Sequence, residues 1–413
     1  MKKSALTLIA LGLAGLSQTT FATDNSNTDM NNLKLIQRGA YLADLGDCEG
    51  CHTVANGQVY GGGRAFKTPM GTIYSTNISS SKKHGIGNYT YEDFVNAVQK
   101  GVAPIGNLYP AMPYVSYSKL TPEDMKALYA YFMHTKPVDQ ANRENDLTFP
   151  ADIRFGLKFW NMLEFKDQPF QNDPKKSATW NRGRYLVEGL GHCGECHTPR
   201  NFIMGSENNK ALQGAVVDGV NAPDLTTARL KQEGWNKDNL AKFLKDGVSP
   251  AGTSFDEMFI VEKHSLTHAK QADVDAIVTY LLDGDNQVKS VNTLTTFTKE
   301  DMAMPGYGIY MARCAGCHGN HGEGTPNVAP PLFHNATISN PNIYNTVEVI
   351  MNGIPVETYN HLKSYYAMPS YKGRINVQQM TDLINFLHKS LATSNTPATT
   401  TNDVQTVINK INN

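Results

Sequence analysis

The chain has 413 residues, with 37 lysines and arginines against 38 aspartates and glutamates, a formal net charge of −1 and 40% hydrophobic residues. That length exceeds what one apolar core organises and suits three domains of ordinary small size. Nothing in the near-neutral balance points to a nucleic-acid-binding role.

At the start, Lys2 and Lys3 precede an apolar run from Ala5 to Leu16, and Thr20-Phe21-Ala22 forms a small-residue cleavage site. Residues 1–22 therefore read as a secretory signal peptide, too short in its apolar run for a membrane span. Removing it leaves a chain starting near Thr23, with 35 basic and 38 acidic residues. The densest later apolar segment, Ala276–Leu282, falls well short of a transmembrane helix, so a soluble or peripheral protein is expected.

Cys48-Glu49-Gly50-Cys51-His52 opens a pattern that returns at Cys193–His197 and at Cys314–His318, using every cysteine in the chain. On a helical turn, positions i, i+3 and i+4 share one face, so two thiols and an imidazole converge on one object. A haem meets that description: its vinyl groups take the two thiols as thioethers, and the imidazole takes the proximal position on iron. A zinc ribbon needs two knuckles per metal, and motifs about 120 to 145 residues apart do not pair into closed four-ligand sites. A dithiol redox pair would not require the histidine, and disulfides across three residues are strained. Three covalently bound haem c groups are expected, attached at Cys48 and Cys51, Cys193 and Cys196, and Cys314 and Cys317, with His52, His197 and His318 on iron. Covalent attachment takes place outside the bacterial cytoplasm, which agrees with the signal peptide.

Further signals repeat around each motif. Gly39-Ala40-Tyr41-Leu42, Gly183-Arg184-Tyr185-Leu186 and Gly308-Ile309-Tyr310-Met311 precede the cysteines on expected helices, where a glycine lets a second helix approach. The third copy has a shorter step from tyrosine to cysteine, so its turn into the motif must differ. After the motifs, helical runs Tyr91 to Gly101, Asp238 to Gly247 and Ile343 to Gly353 each end on a glycine suited to a left-handed cap. From that glycine to a methionine is eleven residues in the first two copies, reaching Met112 and Met258, and fifteen in the third, reaching Met368. Pro113 and Pro369 hold Met112 and Met368 in extended loops that can present a thioether to iron. Met258 lacks that proline, and His264 and His268 are its rivals.

A last helix closes each copy. The first has Thr121 as cap, Pro122 in the first turn and Asp124 as reciprocal partner; the second runs from about Ala272 to Leu282; the third starts at Asn376 with Gln379 as partner. Between copies one and two, Ile153 to Phe170 suits a short amphipathic helix packed against a domain interface, with Trp160 a packing residue or an electron relay. Beyond Lys389 the composition reads as a linker. Val404, Val407, Ile408 and Ile411 then share one helical face for docking on a partner or a membrane surface, unless the tail is frayed. The expected fold is all-α, with three tandem class I cytochrome c domains at 23–150, 176–288 and 289–390, an interdomain linker at 151–175 and a flexible tail at 391–413.

The segments Gly71–Ile78, Tyr109–Tyr114 and Trp180–Arg200 resemble the triple-haem cytochrome c subunit of bacterial membrane-bound dehydrogenases acting on gluconate, sorbitol, fructose or alcohol, and the resemblance covers nearly all of the chain after residue 22. It implies a separate flavoprotein or quinoprotein subunit that oxidises the substrate, with a small third subunit in some complexes. Electrons then pass through this chain to ubiquinone, on the periplasmic face of the inner membrane with peripheral contact. It carries over Met112, Met258 and Met368 as sixth ligands and no catalytic residue. His/Met ligation raises a haem potential and leaves no open site, which suits one-electron relay. His192 and His321 are candidates for tuning those potentials, with solvent exposure or packing as the default for each. The competing readings are a periplasmic electron carrier or oxidase-linked cytochrome without a dehydrogenase, and a haem peroxidase if haem two lacks Met258.

Overall fold

The computed structural model describes residues 24–217, 220–284, 296–360, 363–393 and 396–412. The expected signal peptide and the expected boundary at residues 288 and 289 lie outside the described residues.

Helices dominate the fold. In each repeat an opening helix runs into the C-x-x-C-H turn and crosses a closing helix: Asp24–Leu45 on Pro122–Phe132, Ala178–Tyr185 on Gln271–Leu281, and Pro305–Arg313 on Val377–Leu391. A glycine at each crossing lets the backbones meet. A methyl group at Gly39 would stand 1.9 Å from the Ala127 carbonyl oxygen, and one at Gly183 1.9 Å from that of Ala276. In the third repeat this position is Gly306, 2.1 Å from the Asp382 oxygen on the same measure, whereas the expected equivalent, Gly308, is exposed with nothing near it. That correction removes most of the spacing anomaly, since crossing glycine and first cysteine now lie nine, ten and eight residues apart. The longest step, in the second repeat, contains a π turn over Leu186–Leu190, closed by Gly191 N–H on the Leu186 carbonyl at 2.7 Å.

The middle helices form where expected. Tyr91–Lys100 and Lys237–Asp246 start at capping boxes on Thr90 and Asn236 and end on left-handed Gly101 and Gly247. Tyr344–Asn352 ends differently: Gly353 keeps a positive φ of 76° but an extended ψ of −179°. The two-residue strands Val102–Ala103 with Gly106–Asn107, and Val248–Ser249 with Gly252–Thr253, then make tight hairpins in the first two repeats. The third has a longer hairpin, Glu357–Tyr359 with Lys363–Tyr365, closed by an Ile354–Met368 bridge, which absorbs the fifteen-residue step. Ala65–Thr68, Gly71–Tyr74 and Asp146–Leu147 form a further three-stranded antiparallel sheet. The fold is thus mostly helical, with short strands that an all-α reading omits.

Two details of the closing helices differ from each other. Asn376 and Gln379 complete their capping box. Thr121 accepts from Asp124 N–H at 3.2 Å, but the Asp124 carboxylate does not return the bond; it takes Arg38 and the Tyr185 hydroxyl instead.

The described apolar residues gather into two cores. One is common to the first and second repeats, joining Leu42, Met125 and Leu128 to Leu186, Leu190 and Val274; the other holds the third repeat. Polar side chains join the second repeat to the third, with Asn345 donating to the Asn221 carbonyl at 2.7 Å and Tyr359 to that of Ser254 at 2.8 Å.

The tail is ordered against the second core. Asn385 brackets Thr399 through both backbone groups, at 2.8 and 2.9 Å, and helix Thr401–Asn412 buries Val404 completely while Val407, Ile408 and Ile411 pack beside it. Its apolar face is therefore spent inside the chain, not left for a partner or membrane. The linker helix, Leu157–Glu164, departs in the opposite sense. Trp160 donates to the Ile203 carbonyl at 2.8 Å, Asn161 accepts from Tyr114 at 2.6 Å and Glu164 from Asn201 at 2.9 Å, so its polar side faces the protein. Phe155, Phe159, Met162 and Leu163 are exposed, and no residue of this helix is buried. The domain-interface packing expected of it is made by Trp160 and by Phe165 and Phe170 beyond it, which meet Tyr114 and Tyr185.

Candidate haem sites

The first motif forms a single helical turn, Cys48–His52, entered through Asp47 in the left-handed region at φ 49°. Cys48, Cys51 and His52 border a cavity of about 630 Å³ that Met112 borders as well. Phe94, Leu120, Leu128 and Phe132 give it apolar walls, and Asn142 and Arg143 reach it from the polar side. Two thiols, an imidazole and a thioether around one apolar cavity fit a covalent haem with His and Met on iron.

The imidazole is aimed by its other nitrogen. His52 Nδ1–H donates to the Thr76 carbonyl at 2.7 Å, His197 Nδ1–H to that of Pro223 at 2.7 Å, and His318 Nδ1–H to that of Pro330 at 2.9 Å. Each bond fixes the tautomer and leaves Nε2 as the free lone pair, the arrangement a metal-bound histidine needs. Burial holds all three imidazoles below their ordinary pKa, which disfavours their charged form.

A second contact accompanies each of these. Gly62 N–H donates to the His52 carbonyl at 2.7 Å, Gly214 N–H to that of His197 at 2.8 Å and Gly324 N–H to that of His318 at 2.8 Å. The three glycines have φ of 75°, 80° and 77°, and a methyl group on any of them would press on the backbone of Thr76, Ala222 or Pro331 beside the accepting carbonyl. Left-handed backbone and close approach both call for glycine here. In the first repeat Asn77 secures that loop, donating to the Val138 and Gln140 carbonyls at 3.0 Å each and accepting from Ser79.

None of the six cysteines is paired in a disulfide. Burial pushes Cys48 and Cys193 up to about 12 and Cys196 and Cys314 up to about 11, the opposite of a redox-active dithiol. Asp47 is also buried, with one carboxylate oxygen lacking a partner, and its pKa is raised to about 7 by burial.

The methionines differ in setting. Met112 is held by Tyr109 and Tyr114, with its N–H on the Tyr109 carbonyl at 3.0 Å and its own carbonyl accepting from Tyr114 N–H at 2.8 Å. Met368 exchanges both backbone bonds with Ile354, at 2.9 and 3.1 Å. Met258 lies in the first turn of helix Asp256–His264 and packs on the first core. Of its rivals, His264 is turned to the first motif, with Nδ1 3.2 Å from Glu49 Oε1, and His268 is exposed.

The first two motifs adjoin. Ser116 donates to Glu195 at 2.6 Å, the Tyr117 ring stands 5.6 Å from that of His192, and His192 Nε2 meets the Gly46 carbonyl at 3.3 Å. Arg64 bridges the Gly50 carbonyl and Glu257, both at 2.5 Å. His192 is therefore a half-buried neighbour of the first motif, while the His321 ring stands 5.3 Å from that of Phe297. The accepting carbonyls, the clamp glycines and Arg64 carry no signal in residue spacing, because loops of unequal length bring them to the motifs.

Among known families, the cytochrome c model matches residues 36–136 and 303–390, which hold the first and third motifs. The chain is 37% identical to the gluconate 2-dehydrogenase cytochrome c subunit of Pantoea cypripedii, over 96% of this chain and 93% of that one. It is 39% identical to the cytochrome c subunit of the quinone alcohol dehydrogenase of Gluconacetobacter polyoxogenes, over 86% and 80% of the two chains. With the fructose dehydrogenase cytochrome subunit of Gluconobacter japonicus the identity is 37%, over 92% and 83%.

Proposed function

This chain belongs to the dehydrogenase cytochrome c subunits, and on that premise we propose that it carries three covalent haem c groups and relays electrons from a dehydrogenase subunit to membrane ubiquinone. The observation that carries the count of three is the repeated clamp: each motif histidine has Nδ1–H on a backbone carbonyl and a glycine N–H on its own carbonyl. Cys48 and Cys51, Cys193 and Cys196, and Cys314 and Cys317 attach the haems; His52 with Met112, His197 with Met258, and His318 with Met368 are the axial pairs. The commitment of His264 to Glu49 favours Met258 at the second haem.

When bound, these haems supply one-electron transfer at potentials raised by the thioether ligand. The protein orients each imidazole, walls the first cavity with apolar side chains and holds the first two motifs side by side, which favours transfer between them. Substrate specificity resides in a flavoprotein or quinoprotein partner oxidising gluconate, a polyol or an alcohol. The chain acts after export, on the periplasmic side of the inner membrane.

The test is mild detergent extraction of native membranes, purification on this chain, a haem-to-protein ratio and mass identification of companions. Three low-spin haems with a flavoprotein or quinoprotein are expected. A ratio of two, or recovery of the chain alone from the soluble periplasm, overturns the reading. A high-spin ferric haem that binds cyanide redirects it to a peroxidase at the second haem.

A further inference from the structure

The linker helix presents an inverted amphipathic pattern. Its polar residues are the ones committed to the protein, through Trp160, Asn161 and Glu164, and its outward face carries Phe159, Met162 and Leu163, joined by Phe155 of the preceding turn, all exposed by 57 to 72%. Neighbouring segments extend that face. Arg154 donates to the Asn107 carbonyl at 2.8 Å beside the turn that exposes Ile105, and Ile203, which accepts from Trp160, follows Phe202, 96% exposed. The apolar surface thus runs from the first repeat across the linker to the second. It borders the first haem cavity, since Ile105 and Arg154 line both.

Its charges are arranged with the same sense. Glu164, the anion within the helix, is turned inward, and Lys158 points outward with Nζ 5.3 Å from the Phe155 ring. Arg154 lies 5.1 Å from the Tyr109 ring at the rim. Asp152 and Asp167, both exposed, fall beyond the ends of the helix, Asp152 near the Tyr109 ring that Arg154 covers, so Lys158 is the cation that stands on the face without an anion beside it on the helix. An exposed face of Phe, Met and Leu, with Lys158 and Arg154 held at its aromatic edge and no outward anion on the helix itself, has the chemistry to complement an anionic bilayer, apolar side chains toward the acyl boundary and cations toward phosphates. No described helix is long and apolar enough to cross a membrane.

We propose that the outward face of the linker helix, with Ile105 and Phe202, is a monotopic seat on the surface of an anionic membrane, and that it brings the cavity of the first motif to that surface. The inference rests on the proposed electron relay to a membrane acceptor and names the surface by which that acceptor is reached.

The experiment is flotation of the haem-loaded full chain with vesicles of phosphatidylcholine alone and of phosphatidylcholine with phosphatidylglycerol. Wild type floats with the anionic vesicles. Phe155→Ser with Phe159→Ser and Leu163→Ser lowers partitioning by about tenfold or more, since three apolar side chains leave the lipid. Lys158→Glu lowers it by about fivefold on anionic vesicles alone. Val356→Ser, an equally exposed apolar site in the third repeat, leaves it unchanged. An unaltered haem spectrum in each variant shows that folding is intact. Wild type that stays unfloated, or a triple variant that floats like wild type, overturns the proposal. So does a triple variant that keeps vesicle binding but loses a dehydrogenase on co-purification, which marks a protein interface. Failure of the relay reading shows separately, as haems that no dehydrogenase reduces while flotation persists.

Discussion

The hydroxyl of Tyr185, in the second repeat, donates to Asp124 Oδ2, in the first, at 2.6 Å. The reverse bond also exists: Tyr41 of the first repeat donates to Asp273 Oδ2 of the second at 2.7 Å. Each aspartate is held meanwhile by an arginine of its own repeat, Asp124 by Arg38 and Asp273 by Arg182. The R-x-x-Y steps Arg38–Tyr41 and Arg182–Tyr185 therefore build a reciprocal lock over the common apolar core, and they fix how the first two motifs face each other.

Breaking that lock costs stability without touching a haem ligand. Tyr185→Phe leaves the buried Asp124 with Arg38 alone, and Tyr41→Phe does the same to Asp273 and Arg182. Each is expected to lose about 1.5–3 kcal/mol, the range for a hydrogen bond to a charged group. Denaturant unfolding followed by haem absorbance reads it, and a loss below about 0.5 kcal/mol in both variants would count against the lock.

The third repeat offers a paired test of helix crossing. Gly306→Ala drives a methyl into the Asp382 carbonyl and is expected to cost at least about 1–3 kcal/mol through overpacking. Gly308→Ala, two residues on and facing open space, is expected to be neutral or to stabilise the helix by up to about 1 kcal/mol. Thermal melting of the two variants gives opposite signs if Gly306 makes the crossing.

The clamp glycines bear on haem orientation. Gly62→Ala strains a φ of 75° and pushes on Thr76, whose carbonyl takes His52 Nδ1–H. On the proposed three-haem reading, the expected outcome is a changed potential and weakened low-spin signal at the first haem, with the other two unaffected, read by spectroelectrochemical titration. A uniform change at all three haems would point instead to general unfolding.

Between the second and third repeats, burial raises Glu262, Glu348 and Glu357 to about 7 from an ordinary 4.5. Asp246 and Asp256 stand near them, with Lys263 opposing at Glu262 and Tyr359 donating to Glu357. Between these two pKa values the unfolded chain has released protons that the folded chain retains. Stability therefore falls as pH rises from about 4.5 to about 7, then levels off. Denaturation midpoints across that window check the sign, and Glu348→Gln should flatten the curve.

The tail gives the last prediction. Val404→Asp places an unpaired carboxylate in the second core, where Val404 is fully buried, and is expected to cost several kcal/mol. Because the two apolar cores are separate, the haem proposed for the third motif should be released from its folded environment at lower denaturant than those proposed for the first two. Simultaneous loss of all three would show that the cores unfold as one.

The sequence by itself determined the chemistry of this protein. Three C-x-x-C-H pentapeptides, glycine-ended helices and capping pairs such as Asn376 with Gln379 are local patterns whose physics acts within a few residues. The step from Gly353 to Met368 announced a different loop, although only the fold showed a longer hairpin. Tertiary structure decided what depends on groups far apart in the chain. The Asp124 carboxylate had a local use at its helix cap, but Arg38 and Tyr185 offered a buried charge-assisted pair and took it. Gly308 matched the repeat by eye, yet helix rotation put Gly306 at the contact. The apolar faces of the linker and the tail look alike in sequence. One is turned to solvent and the other buried, because burial of a face depends on what covers it, and that covering comes from segments no local pattern can identify.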